Sequence, residues 1–209
     1  MNPHIIQHPL VDYHLTELRD KTANSLSFRH SINQLSTLLA FSATADLETS
    51  DRPIETPIRK MVGKTLIRRI GLVPILRAGI GMVDVMLDMI PSAEVWHLGM
   101  YRDEETATPV RYYSKLPEKK PVDVAFVLDP MLATGGSAIM ACKALEEWGV
   151  PKTKMLSIIA APEGIERFQQ ECPGVEIHTC VVDEGLNEHN FIVPGLGDAG
   201  DRIFNTTGE

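Results

Sequence analysis

The stretch from Val122 to Trp148 constrains this chain most, because it reads as a strand, a glycine-containing loop and a helix in immediate succession. Val122 to Leu128 is nearly all apolar and rich in β-branched residues, the composition of a parallel strand covered on both faces. Ser137 to Trp148 reads as an amphipathic helix, with Gly149 as its stop and Pro151 just beyond. The neighbouring chain repeats the alternation. Leu72 to Leu76, Glu94 to Met100, Met155 to Ala161 and Val175 to Val182 suit strands, whereas Gly81 to Met89 and Glu163 to Glu171, opened by Pro162, suit helices. Such an order predicts an α/β fold, a parallel sheet with helices on both faces, in which ligands bind beyond the carboxyl ends of the strands.

From Leu10 to Asp46 the pattern is helical, with Phe28, Ile32, Leu35 and Leu39 on one face. Residues 47–65, with Pro53, Pro57 and Gly63 among charges, read as a connecting loop with room for a short strand, and Tyr101 to Lys120 as a polar arm or flap. At 209 residues one domain is expected: N-terminal helices and connecting loop over 1–65, an α/β core over 66–182, and a tail over 183–209. No apolar run approaches the roughly 18 residues of a membrane span, and the start lacks a basic and apolar leader, so the cytoplasm is the expected compartment. The net charge of −8 argues against broad nucleic-acid binding, though a small phosphorylated substrate needs only local positive potential. Cys142, Cys172 and Cys180 have neither a CxxC pair nor metal-ligand spacing and are expected to be reduced thiols.

Asp129 to Ser137 carries the chemistry. An acid stands at the strand end, Gly135 and Gly136 let backbone N–H groups converge, and the helix start adds partial positive charge, so the loop can cradle a phosphate. Thr134 and Ser137 add hydroxyl donors; a plain turn capped by Ser137 is the alternative. No lysine precedes Ser137, which excludes a P-loop. Gly195, Gly197 and Gly200 spell GxGxxG, yet only nine residues follow Gly200, too few for the second half of a dinucleotide-binding unit.

LDPMLATGGSA at 128–138 resembles the donor-binding motif of uracil phosphoribosyltransferases. The resemblance extends to HPL at 8–10, ATADLET at 43–49, PILRAG at 74–79, GMYRDEET at 99–106, AAPEGI at 160–165, EGLNEH at 184–189 and VPGLGDAGDRIF at 193–204. Asp129 followed by Pro130, where many phosphoribosyltransferases have two acids, marks the uracil branch. The resemblance implies the type I phosphoribosyltransferase fold with a C-terminal hood. It also implies conversion of uracil and 5-phospho-α-D-ribose 1-diphosphate to UMP and diphosphate, with Mg2+ carried by the donor.

On that resemblance the donor is held by Arg77, Arg102, Asp129, Pro130, Met131, Leu132, Ala133, Thr134, Gly135, Gly136, Ser137 and Asp198, with Asp129, Arg77 and Arg102 as catalytic groups. Uracil meets main-chain atoms at Ile192, Gly197 and Ala199, beside Asp198. Read without it, Arg77 and Arg102 are surface ion-pair partners, Asp198 a turn aspartate and Phe191 core packing. Asn190 and Phe191 replace the family's usual Gly-Tyr, losing a phenolic hydroxyl and a glycine's freedom. His189 is a general-base candidate by position only, and Glu104 and Glu105 read as a solvated face. Tyr112, Tyr113 and Lys115 suit a lid or a subunit contact. GTP activation and assembly into a homodimer or larger oligomer are implied by the resemblance alone. A transferase for another base and a nucleotide- or RNA-binding regulator of the same fold are the rival readings.

Overall fold

The computed structural model describes residues 2–102, 109–114 and 120–206, with side chains described outside 99–119. In chain order the elements are β1 (His4–Ile5), α1 (Pro9–Arg19), α2 (Ser25–Ala43), β2 (Thr49–Glu55), β3 (Lys60–Leu66), β4 (Ile70–Pro74), a 3-10 turn (Ala78–Met82), α3 (Val83–Met89), β5 (Glu94–Val95), β6 (Leu98–Arg102), β7 (Pro109–Ser114), β8 (Val124–Leu128), β9 (Met131–Leu132), α4 (Gly136–Trp148), β10 (Lys152–Ala160), α5 (Pro162–Glu171), β11 (Glu176–Val182), β12 (Gly185–Leu186), β13 (Ile192–Val193) and α6 (Ala199–Phe204). The central sheet is parallel, in the order β1, β11, β10, β8, β4, β5, with β9 added to β10.

Every residue of β4 and β8 is buried, as the apolar runs require of strands covered on both sides. One apolar cluster joins Leu72, Phe126 and Leu156 to Phe28, Ile32, Leu35 and Leu39 of α2. The other joins Val73, Val127 and Met155 to Ile139 and Leu145 of α4 and Phe168 of α5. A fully buried side chain such as Phe126 contributes about 1.5–3 kcal/mol relative to exposure. Helix α4 stops as expected: Gly149 is left-handed, its N–H bonds Glu146 O at 2.9 Å, and Val150 N–H bonds Leu145 O at 3.0 Å.

The connecting loop expected over 47–65 is instead a hairpin, with β2 and β3 in register from Thr49 opposite Leu66 to Glu55 opposite Lys60. Neither face is well covered, so the ribbon lacks the apolar alternation that marks a strand, and Pro53 is tolerated because a two-stranded ribbon is all edge. The strand expected over Glu94 to Met100 is divided. β5 joins the sheet, while β6 leaves it to pair antiparallel with β7 in the arm. The three cysteines are buried and free.

Candidate active site

The loops that leave β4, β8 and β11 converge at one end of the sheet. The segment after β8 is held by backbone bonds: Asp129 N–H donates to Leu156 O at 3.2 Å, and Pro130 O accepts from both Ile158 and Ile159. Met131 and Leu132 then run along β10, so this part of the expected loop is strand, and the Leu132 side chain is buried. Helix α4 begins at Gly136 after Gly135 (φ 76), which provides no side-chain cap. Ser137 is therefore inside the helix rather than its cap, and the first-turn N–H groups have no intrahelical partner. Together Asp129, Met131 to Ala138 and Asn190 line a cleft of about 170 Å³.

A second cleft, of about 310 Å³, lies between Asp129, Met131 and Ala133 on one side and His189 to Phe191 and Gly197 to Gly200 on the other. The clefts share Asp129, Met131, Ala133 and Asn190. Burial of the Asp129 carboxyl is the main cause that raises its pKa to about 7; the Met131 N–H works against this and the nearby Asp198 charge adds to it. The residue itself stays partly exposed on the cleft side.

Two tail expectations need adjustment. Phe191 is 48% exposed and lines the second cleft, so it is not core packing. Asn190 adopts φ 61, the left-handed conformation that asparagine tolerates better than most residues, so the turn keeps its shape without glycine. Asp198 caps α6, its carboxylate accepting from Asp201 N–H at 2.9 Å, and also faces the cleft. Gly197 and Ala199 line the cleft as well, whereas the Ile192 side chain is buried in the core.

Arg77, three residues beyond β4, reaches the tail. Its guanidinium donates to Asp201 Oδ1 at 2.9 Å and Thr206 Oγ1 at 3.2 Å. The ion-pair reading thus describes it in this state, next to Gly200 of the cleft wall. Arg102 ends β6, but its side chain is outside the described residues, as are Glu104, Glu105 and Lys115 and the side chains of Tyr112 and Tyr113.

Several residues that shape the site had no assigned role in the sequence. Arg19 forks onto Asp183 at 2.9 and 2.5 Å and also donates to Gly195 O at 2.8 Å, while Asp183 accepts from Gly195 N–H at 3.1 Å. Gly195 (φ 64) is gripped at both ends of its polar backbone, and a Cβ there would stand 2.1 Å from Ile192 O. Arg202 donates to Leu18 O, Leu196 O and Asp20 O and lies 4.3 Å over the Phe28 ring. Gly164 of α5 presses on the first cleft from behind, where a Cβ would come within 2.1 Å of Ala133 O. The AAPEGI motif contains this glycine, and that was its one signal.

Among the described residues, His4, Glu176 and His178 are the one group of three whose potential metal-ligating atoms lie within 4.8 Å of one another. Glu176 and His178 stand at the start of β11 and His4 faces His178 from β1, and none of the three lines either cleft. Lys152 and Lys154, at 3.4 and 3.3 Å, already balance the Glu176 carboxylate.

Comparison with known proteins extends this geometry. The family model described as uracil phosphoribosyltransferase matches residues 5–206. A protein named uracil phosphoribosyltransferase from Roseiflexus sp. (strain RS-1) is 54% identical over 202 residues, 97% of each chain. The solved structure of AQ2163 from Aquifex aeolicus superposes with a TM-score of 0.91 at 36% identity, covering 97% of this chain and 98% of that one. A purine phosphoribosyltransferase from Pyrococcus horikoshii Ot3 matches with a TM-score of 0.51 at 11% identity over 75% of this chain and 85% of that one, which shows a shared fold alone. With nearly every described residue inside the family match, this chain belongs to the uracil phosphoribosyltransferase family.

Proposed function

We propose that the protein converts uracil and 5-phospho-α-D-ribose 1-diphosphate to UMP and diphosphate. The observation that carries this reading is the meeting of two clefts at Asp129, one walled by the start of α4 and the other by the tail. The first suits the donor's 5′-phosphate, because uncapped helix N–H groups, Thr134 and Ser137 all supply donors. The second suits a flat base. Fixed backbone groups at Ile192, Gly197 and Ala199 would pair with uracil's O4 and N3 and leave cytosine's reversed groups unpaired.

In the reaction uracil N1 replaces diphosphate at ribose C1. Asp129 would hold the ribose hydroxyls and, when ionised, stabilise positive charge on the ring, while Arg77 and Arg102 stabilise the departing diphosphate. For Arg77 that requires release from Asp201. The chain fits a Mg2+ ion carried by the donor: Asp129, which lines both clefts, and Asp198, which lines the second, interact electrostatically and would offer hard oxygen ligands to it. When bound, the ion supplies charge neutralisation to the leaving group. The binding energy of the remote 5′-phosphate positions C1 for attack.

The chain is read as one domain because α1 forms an ion pair with the tail, α2 a hydrogen bond, and all three share one core. Homo-oligomer formation is supported by the exposed Ile54, Ile58, Met61 and Val62 of the hairpin. Among the described residues no helix is long and apolar enough to cross a membrane, and the cytoplasm is the proposed compartment. UMP formation from uracil, donor and Mg2+, with and without GTP, tests the reading against cytosine, hypoxanthine and guanine. Equal turnover of another base would overturn the uracil assignment, and a faster rate with GTP would reveal an activator site.

A further inference from the structure

Among the described residues Asn190 holds a position that no other tail residue shares. In the phosphate-sized cleft every other described lining residue belongs to the continuous stretch 129–138, and Asn190 closes it from the tail side. The same residue lines the second cleft, between His189 and Phe191. Its backbone is well held: Asn190 N–H donates to Asn187 O at 2.9 Å, and the Asn187 carboxamide oxygen accepts from His189 and Phe191 N–H at 3.0 and 2.9 Å. Its own carboxamide has no hydrogen-bond partner among the described residues and is exposed.

We propose that the Asn190 carboxamide binds the donor directly, giving N–H hydrogen bonds to phosphate or ribose oxygens of 5-phospho-α-D-ribose 1-diphosphate. This rests on the reading that the cleft at Asp129 to Ser137 receives the donor. An amide fits the place chemically. It adds two donors without adding charge, opposite the N–H groups of α4 and beside the carboxyls of Asp129 and Asp198. It also has a consequence for the second substrate. Because Asn190 belongs to the tail, its bond to donor would draw the wall carrying Gly197 and Ala199 toward the loop, so the base meets a better-formed pocket once the donor is in place.

The left-handed backbone makes a clean test available. Asn190→Gly removes the carboxamide and keeps φ 61 without steric cost, so folding is spared. Donor affinity is measured calorimetrically with 5-phospho-α-D-ribose 1-diphosphate and Mg2+ and no base present, beside thermal denaturation of the unliganded proteins. Loss of hydrogen bonds to a charged ligand should weaken donor binding on the order of tenfold in Asn190→Gly, with unliganded stability unchanged. Asn190→Asp should weaken it further, since a third carboxylate would face the phosphate. Donor affinity within about twofold of the wild type in Asn190→Gly would overturn the proposal. So would a change confined to uracil KM, which would assign Asn190 to the base alone. If the wild type binds donor yet makes no UMP, the uracil reading fails and Asn190 is still judged by donor affinity. A wild type that does not bind donor overturns both.

Discussion

The donor-side loop and the tail face each other across Asp129, yet they are held by different forces. The loop is secured by its neighbours in the sheet: Pro130 O and Asp129 N–H pair with β10, Leu132 O accepts from Ala161 N–H just beyond it, and Gly164 backs it from α5. The tail is secured largely by guanidiniums, those of Arg19, Arg29 and Arg77 reaching it from earlier in the chain and that of Arg202 reaching back from the tail itself. Arg19 reaches 176 residues to Gly195, and Arg202 reaches 184 residues back to Leu18. A segment held by a few side-chain bonds can open locally while the core stays folded. Under the proposed function the lesson is one of division: a sheet-held cradle on the proposed donor side, and a separately anchored wall on the proposed base side.

The largest test of that contrast is Asp183→Ala, which leaves the largely buried Arg19 without its buried carboxylate partner and should cost about 3–5 kcal/mol. Hydrogen exchange should show that loss at residues 192–199 and little at 129–137; equal loss in both regions would mean that they form one unit. Asp129→Asn comes next, with turnover reduced on the order of 100- to 1,000-fold because charge stabilisation at the ribose is removed. Since the carboxyl's pKa is raised to about 7, wild-type turnover should climb as pH rises through 7, and the asparagine variant should not follow it. The stability term has the opposite sign. The fold holds this proton more tightly than the unfolded chain, so the contribution is full below about 4 and fades as pH rises through about 7. Denaturation of both proteins at pH 5 and pH 8 should therefore show the wild type losing ground at the higher pH.

Gly164→Ala should act on the cradle side of the site, weakening donor binding by up to about 100-fold through displacement of the Ala133 backbone. Unchanged donor affinity would show that α5 can move aside. The smallest effect is expected at Asp201, which Thr206 and Arg77 hold below the usual carboxylate range. Asp201→Asn frees Arg77 from an exposed ion pair and should improve donor affinity about two- to threefold, read by calorimetry. A decrease would mean that Asp201 presents Arg77 to the donor rather than detaining it.

Much of this was legible before any coordinates. Strand β8, the α4 helix with its Gly149 stop and the buried face of α2 follow from periodicity and capping, which are local, and the motif at 128–138 lines a cleft at the start of α4 for the same reason. The hairpin of β2 and β3 was missed because its strands are defined by pairing with each other and bury little. Asn190 looked like a loss of conformational freedom, although its φ of 61 shows asparagine occupying the glycine conformation. The sequence by itself determined the alternating α/β architecture, the acid at the strand end and the glycine loop, because each depends on residues a few positions apart. Tertiary structure alone decided that Asn190 stands between two clefts, that Arg77 rests on Asp201, and that Arg19 and Asp183 anchor the tail at Gly195. Those relations join residues separated by tens to more than a hundred positions, and only chain packing brings them within hydrogen-bonding distance.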